Sequence, residues 1–153
     1  MDFKNVFGMG PTCMVLGAVV VCLLYFAGLA LGIPPIQIPE QASVAIFALG
    51  IILAVSLSAW SFASLPPAKR GKVLVTSGAY KYFRHPIYAS ILDFFLVGLA
   101  FYLKSYFVLL SVAVLLLVWA RLVDFEEKEL AKVFGGRYKE YQKRTKKFIP
   151  RLI

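Results

Sequence analysis

Residues able to do chemistry are gathered in two stretches of the second half of the chain. The first runs from Val75 to Tyr88 and holds Tyr80, Tyr82, Arg84, His85 and Tyr88, with the chain's only histidine. The second runs from Arg121 to Glu129 and holds Asp124, Glu126, Glu127 and Glu129. Bases and aromatic rings in one stretch and carboxylates in the other suit a polar pocket, if the fold brings them together. Taken singly, each group has a plainer reading. Tyrosines and Arg84 can belong to the belt where a membrane protein meets headgroups, and His85-Pro86 can open a helix. Asp124, Glu126 and Glu127 can stabilise the positive end of a helix that starts there.

The surrounding elements are apolar. Of 153 residues 60% are hydrophobic, and the mean hydropathy is +0.77, far above a soluble domain of this size. The apolar residues come in uninterrupted blocks, as lipid-facing helices require. We therefore expect an all-α, polytopic membrane protein with about four spans, near 12–31, 43–65, 86–102 and 106–123. It would form a single membrane domain over 1–153, with a basic loop over 66–88 and a helical tail over 124–153. Pro34, Pro35 and Pro39 end the first span, Pro66-Pro67 end the second, and Pro86 fits the first turn of the third. Lys104-Ser105 leaves room only for a tight reversal between spans three and four.

Sixteen of the 17 basic residues follow residue 64. In a soluble protein that excess would suggest nucleic acid. Here it flanks apolar spans, so the positive-inside rule predicts a multi-pass protein with both termini cytoplasmic, lipid contacts and no nucleic-acid partner. Lys69, Arg70 and Lys72 mark the first cytoplasmic segment. In the tail, Leu130, Phe134, Tyr138 and Tyr141 recur at helical spacing, and Gly135-Gly136 predicts a break into two short helices. Cys13 and Cys22 match no zinc or redox spacing, and no metal site is expected. The N-terminal block reads as a retained span rather than a cleaved signal. Gly17, Gly28 and Gly50 form no Gly-x-x-x-Gly pair, which predicts a monomer. Asp93 is an ionisable group inside span three, so it either has a function, reaches the interface or pairs with a base such as Arg84.

Leu74 to Tyr80, then Arg84-His85-Pro86-Ile87-Tyr88, then Glu126-Glu127 with Leu130, Phe134-Gly135, Tyr138, Tyr141 and Pro150 resemble, in order and spacing, a known family. It is the integral membrane methyltransferases that include isoprenylcysteine carboxyl methyltransferase and the phospholipid methyltransferases. The resemblance covers about residues 69–151 and implies S-adenosylmethionine as cofactor. By resemblance, Lys72, Val73, Leu74, Val75, Tyr80, His85, Pro86, Ile87 and Tyr88 line the cofactor, Glu126 accepts from it, and Glu127 supports Glu126.

Such a cofactor needs a carboxylate acceptor, N–H donors and flat apolar walls. Methyl transfer needs mainly a dry, oriented site, and an ionised carboxylate acceptor needs no base but benefits from an arginine. The family's arginine falls where this chain has Leu122, so Arg121 or Arg84 is expected in that role. The resemblance implies methyl esterification of an isoprenylcysteine-like lipid drawn from the bilayer. The rival acceptor is a phospholipid amine. A nicotinamide-dependent sterol reductase, whose chains are generally longer, and a non-enzymatic scaffold rank below.

Overall fold

The computed structural model of the chain describes residues 10–69 and 72–150. Arg70 and Arg151, two of the sixteen basic residues counted above, lie outside them. The described residues form five helices: α1 (Gly10–Ala30), α2 (Glu40–Ser64), α3 (Pro86–Tyr102), α4 (Tyr106–Phe134) and α5 (Gly136–Arg144). One-turn 3-10 helices occupy Pro67–Lys69 and Gly78–Lys81.

Three of these helices, α1, α2 and α4, are long and apolar enough to cross a bilayer, and α3 is a shorter apolar helix packed among them. The protein is an integral, multi-pass membrane protein. Val15, Val19, Leu23, Phe26, Ile52, Val55 and Leu117 stand exposed on the helix surfaces, which suits lipid as the surrounding solvent. The interior cluster includes Leu57, Tyr88, Leu92, Leu115, Trp119, Val123 and Phe148.

Glycines set two of the closest approaches. A Cβ on Gly50 would lie 2.7 Å from the Phe94 carbonyl oxygen, and one on Gly98 would lie 3.2 Å from the Phe47 Cα. The α2 and α3 backbones therefore nearly touch, and Ser58 and Ser90 hydrogen-bond across the same contact at 2.8 Å. Within α3 the α-turns Pro86–Ala89 and Val97–Tyr102 flank a π-helical segment, Ser90–Leu96, with Asp93 inside it. The hydropathy pattern carries no trace of that irregularity. Asp93 is half-buried and makes no hydrogen bond or ion pair with any described residue, so the alternative of pairing with Arg84 is not realised.

At the reversal into α4, Lys104 takes φ +50°. Its carbonyl accepts from the Ile36 N–H at 2.8 Å, and its ammonium meets Glu40 at 2.7 Å. Ser105 then caps α4 by accepting from the Val108 N–H.

The main departure from expectation is at the end of α4. The helix does not stop where the charges begin but continues through Asp124–Glu129 to Phe134, because Glu, Lys, Leu and Ala are good helix formers. The Gly135-Gly136 pair does break the helix, with Gly135 at φ +56°. What precedes the break is thus the extension of the last apolar helix and not a separate short helix. Asp124, Glu126 and Glu127 lie about five turns from the α4 N-terminus, so the reading of them as a helix-start charge cluster is set aside.

Candidate functional site

Both chemistry-bearing stretches lie at the same end of the bundle. Pro86 occupies the first turn of α3, and the His85 carbonyl accepts from the Ala89 N–H at 3.0 Å, so His85 is held at the helix mouth. On α4, Trp119, Val123 and Glu127 repeat every four residues and are all buried, a core stripe whose last member is ionisable.

Glu127 is the hub. Its Oε1 accepts from Arg84 Nε at 2.7 Å and lies 3.1 Å from His85 Nε2, while its Oε2 accepts from Arg84 Nη2 at 3.2 Å and Gln142 Nε2 at 3.0 Å. Arg84 Nη1 donates to the backbone carbonyls of Gln142, at 3.1 Å, and Thr145. With both oxygens doubly engaged, Glu127 has little left for a ligand, and Arg84 has committed most of its five N–H groups.

The tail closes over this pair. Phe83 and Lys146 form a parallel bridge, with Arg84 N–H donating to the Lys146 carbonyl and His85 N–H to the Lys147 carbonyl. Tyr141 donates to the Tyr80 carbonyl at 2.7 Å, and Lys147 reaches back to α4 at Asp124 and the Ala120 carbonyl. Burial pushes the Tyr138 and Tyr141 phenols above the usual tyrosine range.

Glu126, next to the hub, is different. Only half-buried, its one hydrogen bond to a described residue is a long 3.5 Å contact from the Tyr88 hydroxyl. The Tyr88 ring packs edge-on against Trp119, at 5.6 Å, and against Phe148, at 6.2 Å. Beside these groups lie two buried polar atoms with no hydrogen-bond partner among the described residues, Trp119 Nε1 and the Tyr138 hydroxyl. Tyr138 feels the charges of Glu127, Arg84 and Glu126.

Of the residues singled out in the sequence, Tyr80, Arg84, His85, Pro86, Tyr88, Glu126 and Glu127 converge here. Ile87 is half-buried beside them, with its carbonyl taken by Ser90. Lys72 and Val73 are exposed, and Leu74 and Val75 half-buried, on an irregular segment that no described hydrogen bond ties to Glu126. Arg121 is exposed on α4 and takes no part in the network. Sequence reasoning missed Trp119, Gln142, Thr145 and Phe148. The four-residue stripe from Trp119 to Glu127 was a usable signal only for a helix that runs past Val123.

A family model described as phospholipid methyltransferase matches residues 39–137. Among curated proteins no sequence matches the chain. Among solved structures, the eukaryotic intramembrane Ras methyltransferase ICMT, an isoprenylcysteine carboxyl methyltransferase, superposes with a TM-score of 0.61 at 21% identity. The match takes in 93% of this chain and 53% of that one, so this chain spans about half the length of the protein it matches. At that identity the likeness is one of fold.

Proposed function

We propose, because the chain belongs to the phospholipid methyltransferase family, that it transfers a methyl group from S-adenosylmethionine to an acceptor dissolved in the bilayer. The observation that carries this reading is the contrast between the two adjacent glutamates. Glu127 is saturated by protein donors, whereas Glu126 keeps acceptor capacity at the edge of an aromatic cluster.

The residues fit the cofactor. Glu126 offers a carboxylate for an ammonium or hydroxyl, the unpartnered Tyr138 hydroxyl offers a buried polar atom nearby, and Tyr88 and Phe148 offer flat walls. When bound, the cofactor supplies an electrophilic methyl carbon, which the acceptor's lone pair attacks as the carbon–sulfur bond breaks and its electron pair stays on sulfur. The chain's contribution is to bind, orient and exclude water. Glu127 fixes Arg84, His85 and the tail, and the tail sets the Phe148 ring against Tyr88 of α3. Lys72 to Val75 and Ile87 extend the cofactor-lining set implied by resemblance.

The acceptor we place first is the carboxylate of an isoprenylcysteine-like lipid, supported by the shared fold with a carboxyl methyltransferase. A second reading, a phospholipid amine, is favoured by one observation. Arg84 is committed to Glu127 and the tail, Arg121 is exposed, and Leu122 occupies the position of the family's arginine, so among the described residues no guanidinium hydrogen-bonds Glu126.

With the protein reconstituted in lipid nanodiscs and supplied with methyl-labelled cofactor, label should enter the lipid fraction. Mild base releases it as methanol from a methyl ester and leaves an N-methyl group intact. Folded protein that binds no cofactor by calorimetry and labels no lipid overturns the proposal. The cofactor face is assigned to the cytoplasm, with both termini there, from the charge pattern.

A further inference from the structure

Trp119 is 1% exposed, and its Nε1–H has no partner among the described residues. An indole nitrogen can only donate, and a buried donor without an acceptor is uncommon enough to ask what it awaits. Its position narrows the answer. Trp119 precedes Glu126 by seven residues, two turns on the same face of α4, so it lies about 10 Å deeper into the bundle. Tyr88 bridges the two levels, with its ring against Trp119 and its hydroxyl toward Glu126. The wall opposite is α1. A Cβ on Gly17 would lie 2.8 Å from Trp119 Cζ2, so a glycine is what lets α1 pass over the indole. Most of the other α1 side chains, such as Val15 and Val19, face lipid. The seam between α1 and α4 at Trp119 therefore separates the polar column of the site from the bilayer by one helix with little burial of its own.

We infer that the Trp119 indole N–H is the donor that receives an anionic oxygen of the lipid acceptor entering between α1 and α4. The inference rests on the methyltransferase reading and deepens it. The group that holds the acceptor is a neutral indole and not an arginine, which accounts for a site where Arg84 is committed and Leu122 stands at the family's arginine position. A neutral donor on an apolar wall selects an oxygen anion attached to a hydrocarbon. A carboxylate on an isoprenyl chain and a phosphate on a diacyl lipid share that chemistry.

Trp60 and Trp119 are the chain's two tryptophans, so Trp60→Phe leaves Trp119 as a single emitter in the full-length protein. In detergent, N-acetyl-S-farnesylcysteine or dioleoyl phosphatidic acid is titrated into this variant. The expected result is a saturable shift of Trp119 emission with one of the two and at least tenfold weaker response to the farnesylcysteine methyl ester or dioleoylglycerol, which lack the anion. Which anionic lipid responds identifies the source. In parallel, Trp119→Phe keeps the ring and removes the donor. It should raise the acceptor KM about tenfold or more, the usual loss for a hydrogen bond to a charged group, while cofactor binding by calorimetry stays unchanged.

Equal emission response to anionic and neutral lipids, or an unchanged acceptor KM in Trp119→Phe, overturns the inference while leaving methyl transfer standing. Failure of the parent protein to bind cofactor sinks the enzymatic reading instead, and the emission titration still decides whether Trp119 meets a lipid anion.

Discussion

Arg84 and Glu127, 43 residues apart, meet in a two-pronged contact, Nε to Oε1 at 2.7 Å and Nη2 to Oε2 at 3.2 Å. Their side chains are 10% and 5% exposed. A pair this buried contributes less through attraction than through the penalty of leaving either charge alone. Glu127→Ala strands the Arg84 guanidinium and also removes acceptors from His85 and Gln142. The expected loss is about 3–5 kcal/mol, read as a lowered midpoint of thermal unfolding in detergent, with Glu127→Gln in between. A change below about 0.5 kcal/mol, the scale of an ordinary surface substitution, would show that the pair does not organise this end of the bundle.

The neighbouring glutamate should behave the other way. Glu126 has one weak contact, from Tyr88 at 3.5 Å, so Glu126→Gln is expected to leave unfolding within about 0.5 kcal/mol of the parent. Cofactor affinity should fall about tenfold or more, since the amide loses a charge-assisted bond. Calorimetry and a melting curve on the same sample test both halves. If Glu126→Gln melts early and binds normally, the roles assigned to the two glutamates are exchanged.

Much of this was visible in the residues alone, and what was not has a physical reason. The spans show because lipid demands unbroken apolar runs, and Arg84-His85-Pro86 and Glu126-Glu127 show because such groups are rare in a chain this apolar. The join between them did not show, because it depends on α4 continuing to Phe134. Charged residues with high helix propensity look like a boundary in a hydropathy profile and are none to the backbone. Gln142 and Thr145 were invisible for a related reason. They contribute through a side-chain amide and backbone carbonyls placed by the turn at Gly135, which no pattern of residue types encodes. The π segment around Asp93 left no mark either.

Close packing of α2 on α3 gives a steric test. At Gly50 an added Cβ would meet the Phe94 carbonyl oxygen at 2.7 Å, and a backbone oxygen in a helix cannot swing aside. Gly50→Ala should therefore destabilise the protein by roughly 1–3 kcal/mol, the range for overpacking. Gly136→Ala is the control. Nothing lies within 4 Å of its added Cβ, and alanine favours the first turn of α5 by up to about 1 kcal/mol. The two melting curves should move in opposite directions, and equal shifts would mean that α2 and α3 do not touch at Gly50.

Alkaline pH should loosen the tail first. Burial, with the Glu127 charge adding to it at Tyr138, raises the Tyr138 and Tyr141 phenols above the ordinary value near 10. Well below pH 10 both phenols are protonated folded or unfolded, so their contribution is complete and constant. Above it the unfolded chain releases these protons while the folded chain keeps them. The unfolded state then binds fewer protons, and stability falls with rising pH by up to about 1.4 kcal/mol per unit for each phenol. Tyr138→Phe isolates one of them. The Tyr138 hydroxyl has no partner among the described residues, so without ligand the variant should match or exceed the parent at pH 8. Because it has one phenol fewer to ionise, it should lose less stability between pH 10 and 11. Denaturant unfolding at each pH measures both slopes, and parallel slopes would mean that Tyr138 is solvated in the folded protein.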